Sequence, residues 1–367
     1  MRAAWNNSTM SHIVVGLSGG VDSAVAALLL LQEGHRVTAV FMKNWDEDDD
    51  AGYCPAAEDL EDARLVCERL GIELQTVSFS VEYWDRVFKH FLDEYQAGRT
   101  PNPDVICNRE IKFRAFLDYA FEAGADAIAT GHYAQIGSNG KLRLLRGADS
   151  KKDQTYFLHT LDQSRLQKSR FPIGHLNKTT VRRLAADAGF PNHDKKDSTG
   201  ICFIGERKFR DFLAQYLPQQ AGEIRTLDDE VIGMHPGLVF YTIGQRQGLG
   251  IGGIKDAAGD PWYVAGKDLN TNILRVVQGF SHPALFSQRL HASQLHWIAG
   301  SPPVMPLSCT ARIRHLQADQ ACTVDTTSQD ECRVAFNRPQ RAVTPGQSVV
   351  FYDDDVCLGG GIIETAC

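Results

Sequence analysis

The sequence predicts an α/β protein: a doubly wound parallel sheet followed by two smaller β-rich domains, the last of them a β-barrel. Three observations carry this. Short β-branched runs alternate with helix-forming runs from residue 13 to about residue 130, the pattern of parallel strands joined by crossover helices. The first strand runs into a glycine turn that opens a helix, at the edge of the sheet where such folds take ligands. From about Gly222 onward the chain is short β-rich runs broken by Gly, Pro, Asp and Asn, as in VIGMHPGLVFYTIG and QSVVFYDDDVCLGGGII.

The elements follow in order. Strands are expected at 13–17, 37–41, 74–79 and 127–130, each a short apolar run bounded by polar or glycine residues. Helices are expected at 23–32, 57–70, 82–95 and 110–123, then at 179–188 and 207–216. The carboxyl ends of the strands then carry the glycine turn, Met42, and Gly131 with His132. The chain divides into a leader at 1–12, a first domain at 13–217, a central β domain at 218–283 and a barrel at 284–367.

Composition narrows the class. No apolar run approaches the ~18 residues a membrane helix needs, and MRAAWNNSTMSH lacks the apolar core of a signal peptide, with Met10 an alternative start. A cytoplasmic monomer is expected. The nine cysteines show neither a CxxC pair nor zinc-finger spacing, which points away from a disulfide framework and from a metal site. Net charge is −7, yet residues 141–183 hold eleven Lys/Arg against three Asp, enough to neutralise RNA phosphates locally. A solvated helix face explains the same charge count equally well.

The stretch IVVGLSGGVDSAVAALLLL, residues 13–31, carries the first chemistry. Strand, small polar turn and helix N-terminus make an anion site, because backbone N–H groups and the helix dipole both favour negative charge. A Walker loop would add a lysine that reaches the β- and γ-phosphates. Its absence here argues against γ-phosphoryl transfer and for a different cut in the nucleotide. Two cysteines stand apart by context. Cys107 lies in RTPNPDVICNREIKF, a Pro-rich loop expected to feed a helix from about Asn108, whose N-terminus would favour the thiolate. Asp104, three residues earlier, is placed to assist proton transfer or orient a substrate. Cys202 lies in the loop DKKDSTGICFIGERKF. The other seven cysteines fall in helix or strand patterns and read as packing residues.

SGGVDS with FMKNW (41–45), TPNPDVICNREIKF (100–113), ATGHYA (129–134), KKDQTYFL (151–158), DSTGICFIGER (197–207) and HPGLVFYTIGQRQGLGIGG (235–253) resembles the tRNA-specific 2-thiouridylase (MnmA/TrmU) family, enzymes with a pyrophosphatase loop (PP-loop). The resemblance runs in order from residue 13 to about 253. It implies a PP-loop ATP pyrophosphatase that replaces the C2 oxygen of the wobble uridine of tRNA by sulfur, with ATP and Mg²⁺ as cofactors and a persulfide donor, a cysteine desulfurase or a sulfur-relay protein, as partner. It assigns Gly16, Leu17, Ser18, Gly19, Gly20, Val21, Asp22 and Ser23, with Met42 and Gly131, to ATP. Asn102, Pro103 and Asp104 would meet the target base. Cys107 would be the nucleophile and Cys202 the persulfide carrier. Lys152, Asp153 and Gln154, with Arg314 and His315 in the barrel, would contact tRNA.

Other readings stay open at this stage. A PP-loop synthetase acting on a small molecule would leave both cysteines and the basic stretch unused. A sulfur-carrying or RNA-binding module would leave the nucleotide loop unused. Within the thiolase reading, Cys107 could release sulfide before the attack, or Asp104, Cys107 and Cys202 could hold an iron–sulfur cluster. His235, Tyr241 and Arg246 in HxGxxxYTxGQR read, on their own, as a structural β hairpin with glycine turns.

Overall fold

A computed structural model of the protein describes residues 10–45, 55–197, 209–251 and 259–367. The expected leader lies almost wholly outside these residues, and so does Cys202. The strands of the first half are β1 (His12–Gly16), β2 (Arg36–Lys43), β3 (Leu74–Ser78), β4 (Ala127–Ala129), the hairpin β5 (Ala134–Asn139) and β6 (Lys141–Arg146), and β7 (Ser169–Arg170). Five of them form a parallel sheet in the order β3-β2-β1-β4-β7. The central strand β1 is buried along Ile13, Val14 and Val15, as its unbroken β-branched run requires of a strand covered on both faces. The helix α1 (Val21–Gln32) crosses from β1 to β2 and ends ahead of Gly34, whose φ of 84° suits glycine. The helix α2 (Pro55–Leu70) makes the next crossover.

The four expected strands are found within one or two residues at each end. One helix boundary is corrected, with consequences for chemistry. The helix expected from 110, or from Asn108 at the earliest, begins at Pro103 and continues through Cys107, Asn108–Ala115 and Phe116–Glu122. Asn102 is its N-cap: the side-chain Oδ1 accepts from the N–H groups of Asp104 (3.1 Å) and Val105 (3.4 Å). Pro103 takes the first helical position, where its fixed φ fits and its missing N–H costs nothing. Over Asn108–Ala115 the helix widens to i→i+5 turns, with Phe113 at φ −106° and ψ 17°.

The second half holds two further sheets. The strands β8 (Gly222–Arg225), β9 (Val231–His235), β10 (Trp262–Asp268) and β11 (Ile273–Gln278) form a small sheet in the order β10-β11-β8-β9. The strands β12 (Phe286–Trp297), β13 (Leu307–Arg312), β14 (Gln320–Thr326), β15 (Cys332–Arg341), β16 (Ser348–Asp353) and β17 (Val356–Ala366) run in the order β12-β15-β14-β13-β16-β17. Pairing of β12 with β17 closes this set into a six-stranded barrel. Alternate residues such as Val334 and Phe336 of β15 point into its core beside Val324 and Phe351. His235 is buried, with Nε2 3.1 Å from the Asn272 carbonyl, and Tyr241 packs beside it in the small domain's core. Both therefore hold structure, but not as the expected hairpin: His235 ends β9 and Tyr241 follows a single 3-10 turn at Leu238–Phe240.

The hairpin β5–β6 has no counterpart among the expected elements. It leaves the first sheet and pairs with the barrel instead, Leu144 facing Cys357 and Leu145 facing Val356. Leu144 is fully buried there, a burial that contributes about 1.5–3 kcal/mol. The barrel is thereby fastened to the first domain by main-chain hydrogen bonds, and the loops of both are held in fixed relation.

Candidate active site

The turn after β1 is shaped by backbone geometry. Gly20 caps α1 in an extended conformation (φ −85°, ψ 155°) and offers no side chain, so the helix N-terminus carries no side-chain cap. Uncapped first-turn N–H groups and the positive end of the helix dipole suit an anion. Gly19 has φ +73°, and a Cβ there would lie 2.2 Å from the Asp59 carbonyl oxygen. Gly131, beyond the end of β4, approaches so closely that a Cβ would lie 2.6 Å from the Ser23 nitrogen. Met42 closes the other side, its Cε 3.1 Å from the Cβ position of Gly16. Leu17 is held by its N–H on the Val40 carbonyl (2.8 Å), and Ser23 Oγ accepts from the Ser18 N–H (3.2 Å). The structure thus brings together all ten residues expected around ATP. The buried Asn192 donates from Nδ2 to the Gly19 carbonyl (2.8 Å), while its Oδ1 has no partner among the described residues. A cradle with glycine walls, free N–H groups and an orphan acceptor fits a nucleotide.

A lysine stands at this cradle after all, delivered from elsewhere. Lys178 opens the helix Lys178–Asp187, where Asn177 caps the start by accepting from the Thr180 N–H (2.8 Å). Its Nζ donates to both carboxylate oxygens of Asp22 (2.9 and 2.8 Å) and pairs with Asp197 (2.6 Å). Asp22 also accepts from the Tyr133 hydroxyl (2.7 Å). Asp197 binds Lys152 and Arg182 as well. Burial works against ionisation of Asp197, but hydrogen bonds from Lys152 and Lys178 outweigh it and hold the carboxyl below its ordinary value. Burial and then the charge of Asp22 push the Tyr133 hydroxyl up, so it stays a donor. Lys178 lies 156 positions from Asp22, so the loop motif by itself does not point to it. The Asn-Lys-Thr-Thr helix start was the available signal.

Cys107 does not sit ahead of a helix N-terminus. It is the fifth residue of the helix Pro103–Cys107 and is 1 % exposed, packed among Ile106, Ile111 and Phe116. The thiolate argument from helix N–H groups therefore does not apply to it, because Asn102 and Pro103 start the helix one turn earlier. Asp104 and Cys107, three apart, do share a helix face. Pro103 is buried, and the Asn102 side-chain oxygen is engaged in capping. Phe116, farther along the same helix, touches Gly16 with its ring 3.4 Å from the Cβ position, which ties the cysteine helix to the nucleotide loop. The opposite face of that helix, through Asn102, Ile106 and Arg109, lines a cavity of about 370 Å³ shared with His159, His296 and Ser348.

The residues expected to meet tRNA divide. Lys152 is half-buried and occupied by Asp197. Gln154 is bonded to Tyr133 through its side-chain Oε1 (2.9 Å) and its N–H (3.0 Å), which joins this segment to Asp22. Asp153 is 1 % exposed: Oδ1 accepts from the Gly147 and Thr155 N–H groups and the Thr155 hydroxyl, and Oδ2 from Arg312 (3.1 Å). Its carboxylate therefore orders the loop and faces no solvent. His315 reaches the same loop, its Nε2 3.0 Å from the Asp153 carbonyl, while Arg314 is exposed next to it. The segment at 152–154 and the barrel loop at 313–319 thus form one surface. The basic stretch is less bare than its count, since Arg146, Lys152, Lys178 and Arg182 are paired with Asp22, Asp153, Asp197 and Asp319.

Comparison with known proteins agrees with this arrangement throughout the chain. The family profile described as tRNA methyl transferase HUP domain matches residues 11–206, the PRC-barrel domain of the same name matches 210–278, and an aminomethyltransferase beta-barrel domain matches 287–363. The chain is 60 % identical to the tRNA-specific 2-thiouridylase MnmA of Methylococcus capsulatus over 356 residues, covering 96 % of each. It is 59 % identical to that of Pseudomonas aeruginosa, covering 97 % of this chain and 95 % of the relative. With a PP-loop sheet, a central β domain and a terminal barrel in the same order, the chain belongs to the tRNA-specific 2-thiouridylase MnmA family.

Proposed function

We propose that the protein catalyses ATP-dependent 2-thiolation of the wobble uridine of tRNA. The observation that carries the ATP half is the uncapped N-terminus of α1 between Gly19 and Gly131, with Lys178 poised on Asp22. ATP bound there supplies activation: the C2 oxygen of the uridine becomes an AMP leaving group and pyrophosphate departs, with Mg²⁺ neutralising the phosphates. The turn from Gly16 to Ser23 holds the departing phosphates. Lys178 exchanges its Asp22 partner for phosphate oxygens and supplies the cation that the loop lacks. Met42 and Gly131 flank the adenosine.

The sulfur half uses two thiols. A persulfide on Cys202, outside the described residues, attacks C2 through its terminal sulfur, and AMP leaves with the C–O electron pair. Cys107 as thiolate then attacks the Cys202 sulfur. The S–S bond breaks toward the uridine, leaving 2-thiouridine and a Cys107–Cys202 disulfide for later reduction. Asp104, on the same helix face, orients the base and accepts its proton. Because Cys107 is buried in the free protein, RNA binding must uncover it. A base that reacts in a covered pocket is flipped out of the anticodon loop, and the surface at 152–154 and 313–319 grips the backbone. The donor is a persulfide-bearing protein.

The test is one reaction with ATP, Mg²⁺, a persulfide source and unmodified tRNA. Expected products are a sulfur-for-oxygen mass change on the wobble uridine and tRNA-dependent AMP. AMP without RNA thiolation would shift the function to a small-molecule synthetase, and ADP would overturn the reading of the nucleotide loop.

A further inference from the structure

We infer that Cys309 and Cys322 form a reversible disulfide across the barrel hairpin β13–β14, apart from the thiol chemistry at Cys107. The two residues face each other directly in the antiparallel register, and their sulfurs lie 3.8 Å apart. Directly opposed residues in such a ladder have Cα atoms about 4.5–5.5 Å apart, inside the range of about 4.4–6.8 Å that a disulfide accepts. Closing the bond needs the sulfurs to approach by about 1.8 Å, within reach of small χ1 rotations.

The two thiols are unequal in the way such chemistry needs. Cys309 is half-exposed and reachable, whereas Cys322 is 3 % exposed in the barrel core. The two sulfurs share one hydrogen bond in which either can donate, and the contact with Cys309 and then burial push the Cys322 thiol up. With hydrogen peroxide as oxidant, the Cys309 sulfur attacks one oxygen and becomes a sulfenic acid, and the other oxygen leaves as water. Cys322 then attacks the sulfenic sulfur, and its proton departs with that oxygen as a second water. Two electrons pass from the two thiols to one peroxide, and a dithiol reductant returns both thiols. The new bond joins the strands directly beneath the loop at 313–319, which Arg312 and Asp319 already clasp at its base (2.7 Å).

The experiment treats the full-length protein with hydrogen peroxide, alkylates the remaining thiols, and maps peptides before and after dithiothreitol. The expected result is a linked Cys309–Cys322 peptide, lighter by two hydrogens and lost on reduction. It should persist in Cys107→Ser, which separates it from the catalytic pair, and be absent in Cys309→Ser, a half-exposed position that leaves the core intact. If Cys309 is alkylated in full or runs on to sulfinic acid in the wild-type protein, with no linked peptide, the inference is wrong.

Discussion

Replacing Lys178 by methionine tests whether the nucleotide loop borrows its cation from a distant helix. The change keeps the side chain's length and removes its charge. Three carboxylate contacts go with it, two to Asp22 and one to Asp197. Hydrogen bonds to charged groups are worth about 1.5–3 kcal/mol when buried. Asp22 and Asp197 keep roughly a third of their surface in water, at 30 % and 33 %, and Tyr133, Lys152 and Arg182 remain as partners. The net stability loss is therefore about 1–2 kcal/mol after screening, a fall in Tm of about 1–3 °C for a chain of this size. Activity should fall further. A donor aimed at charge that develops during the reaction is worth about 2.7–4 kcal/mol, or a factor of about 10²–10³ in rate. The assay is tRNA-dependent AMP formation at saturating ATP, with Tm measured on the same samples. Lys178→Arg keeps the charge and should restore Tm while recovering only part of the rate. An AMP rate for Lys178→Met within about threefold of wild type would refute the reasoning, since a purely structural ion pair would cost stability alone.

Further outcomes are expected at other positions. Cys107→Ser and Cys202→Ser should each abolish persulfide-dependent thiolation, read as 2-thiouridine by mass spectrometry; full turnover in either would sink the two-thiol scheme. Gly131→Ala places a methyl group 2.6 Å from the Ser23 nitrogen, a backbone atom that cannot yield without moving α1; ATP affinity measured by calorimetry should fall at least tenfold. His159 is buried, and desolvation lowers it from 6.5 to about 4, so it stays neutral while the unfolded chain takes up a proton. Its stability contribution is complete above pH 6.5 and is lost as pH falls toward 4, by about 3 kcal/mol in total; urea titrations of wild type and His159→Gln across that window should converge at acid pH.

Much of the site was legible in the chain. The strand–turn–helix around SGGVDS needs only local rules: a β-branched run, a glycine turn and a run of helix formers. The same rules give the positions along the chain of four of the first sheet's five strands, and the change to β structure after Gly222. The start of the cysteine helix is also written locally, as Asn102 followed by Pro103, yet the same Pro-rich stretch fits a loop as far as Asn108 equally well. The N-cap bonds explain the difference, and they move Cys107 from an activated terminus into the core.

What local rules cannot reach is pairing between distant segments. The charge count at 141–183 saw eleven cations and three acids, but Asp22, Asp197 and Asp319 arrive from outside that window and consume several of the cations. The hairpin β5–β6 has an ordinary strand pattern, and nothing in it announces that its partner is β17, some 210 residues later. By itself the sequence determined the nucleotide turn, the candidate thiols and the change of architecture, because each depends on neighbours along the chain. Only the tertiary structure decided which lysine stands beside the turn, which loop of the barrel meets the first domain, and how deeply Cys107 lies, because those depend on which surfaces bury one another.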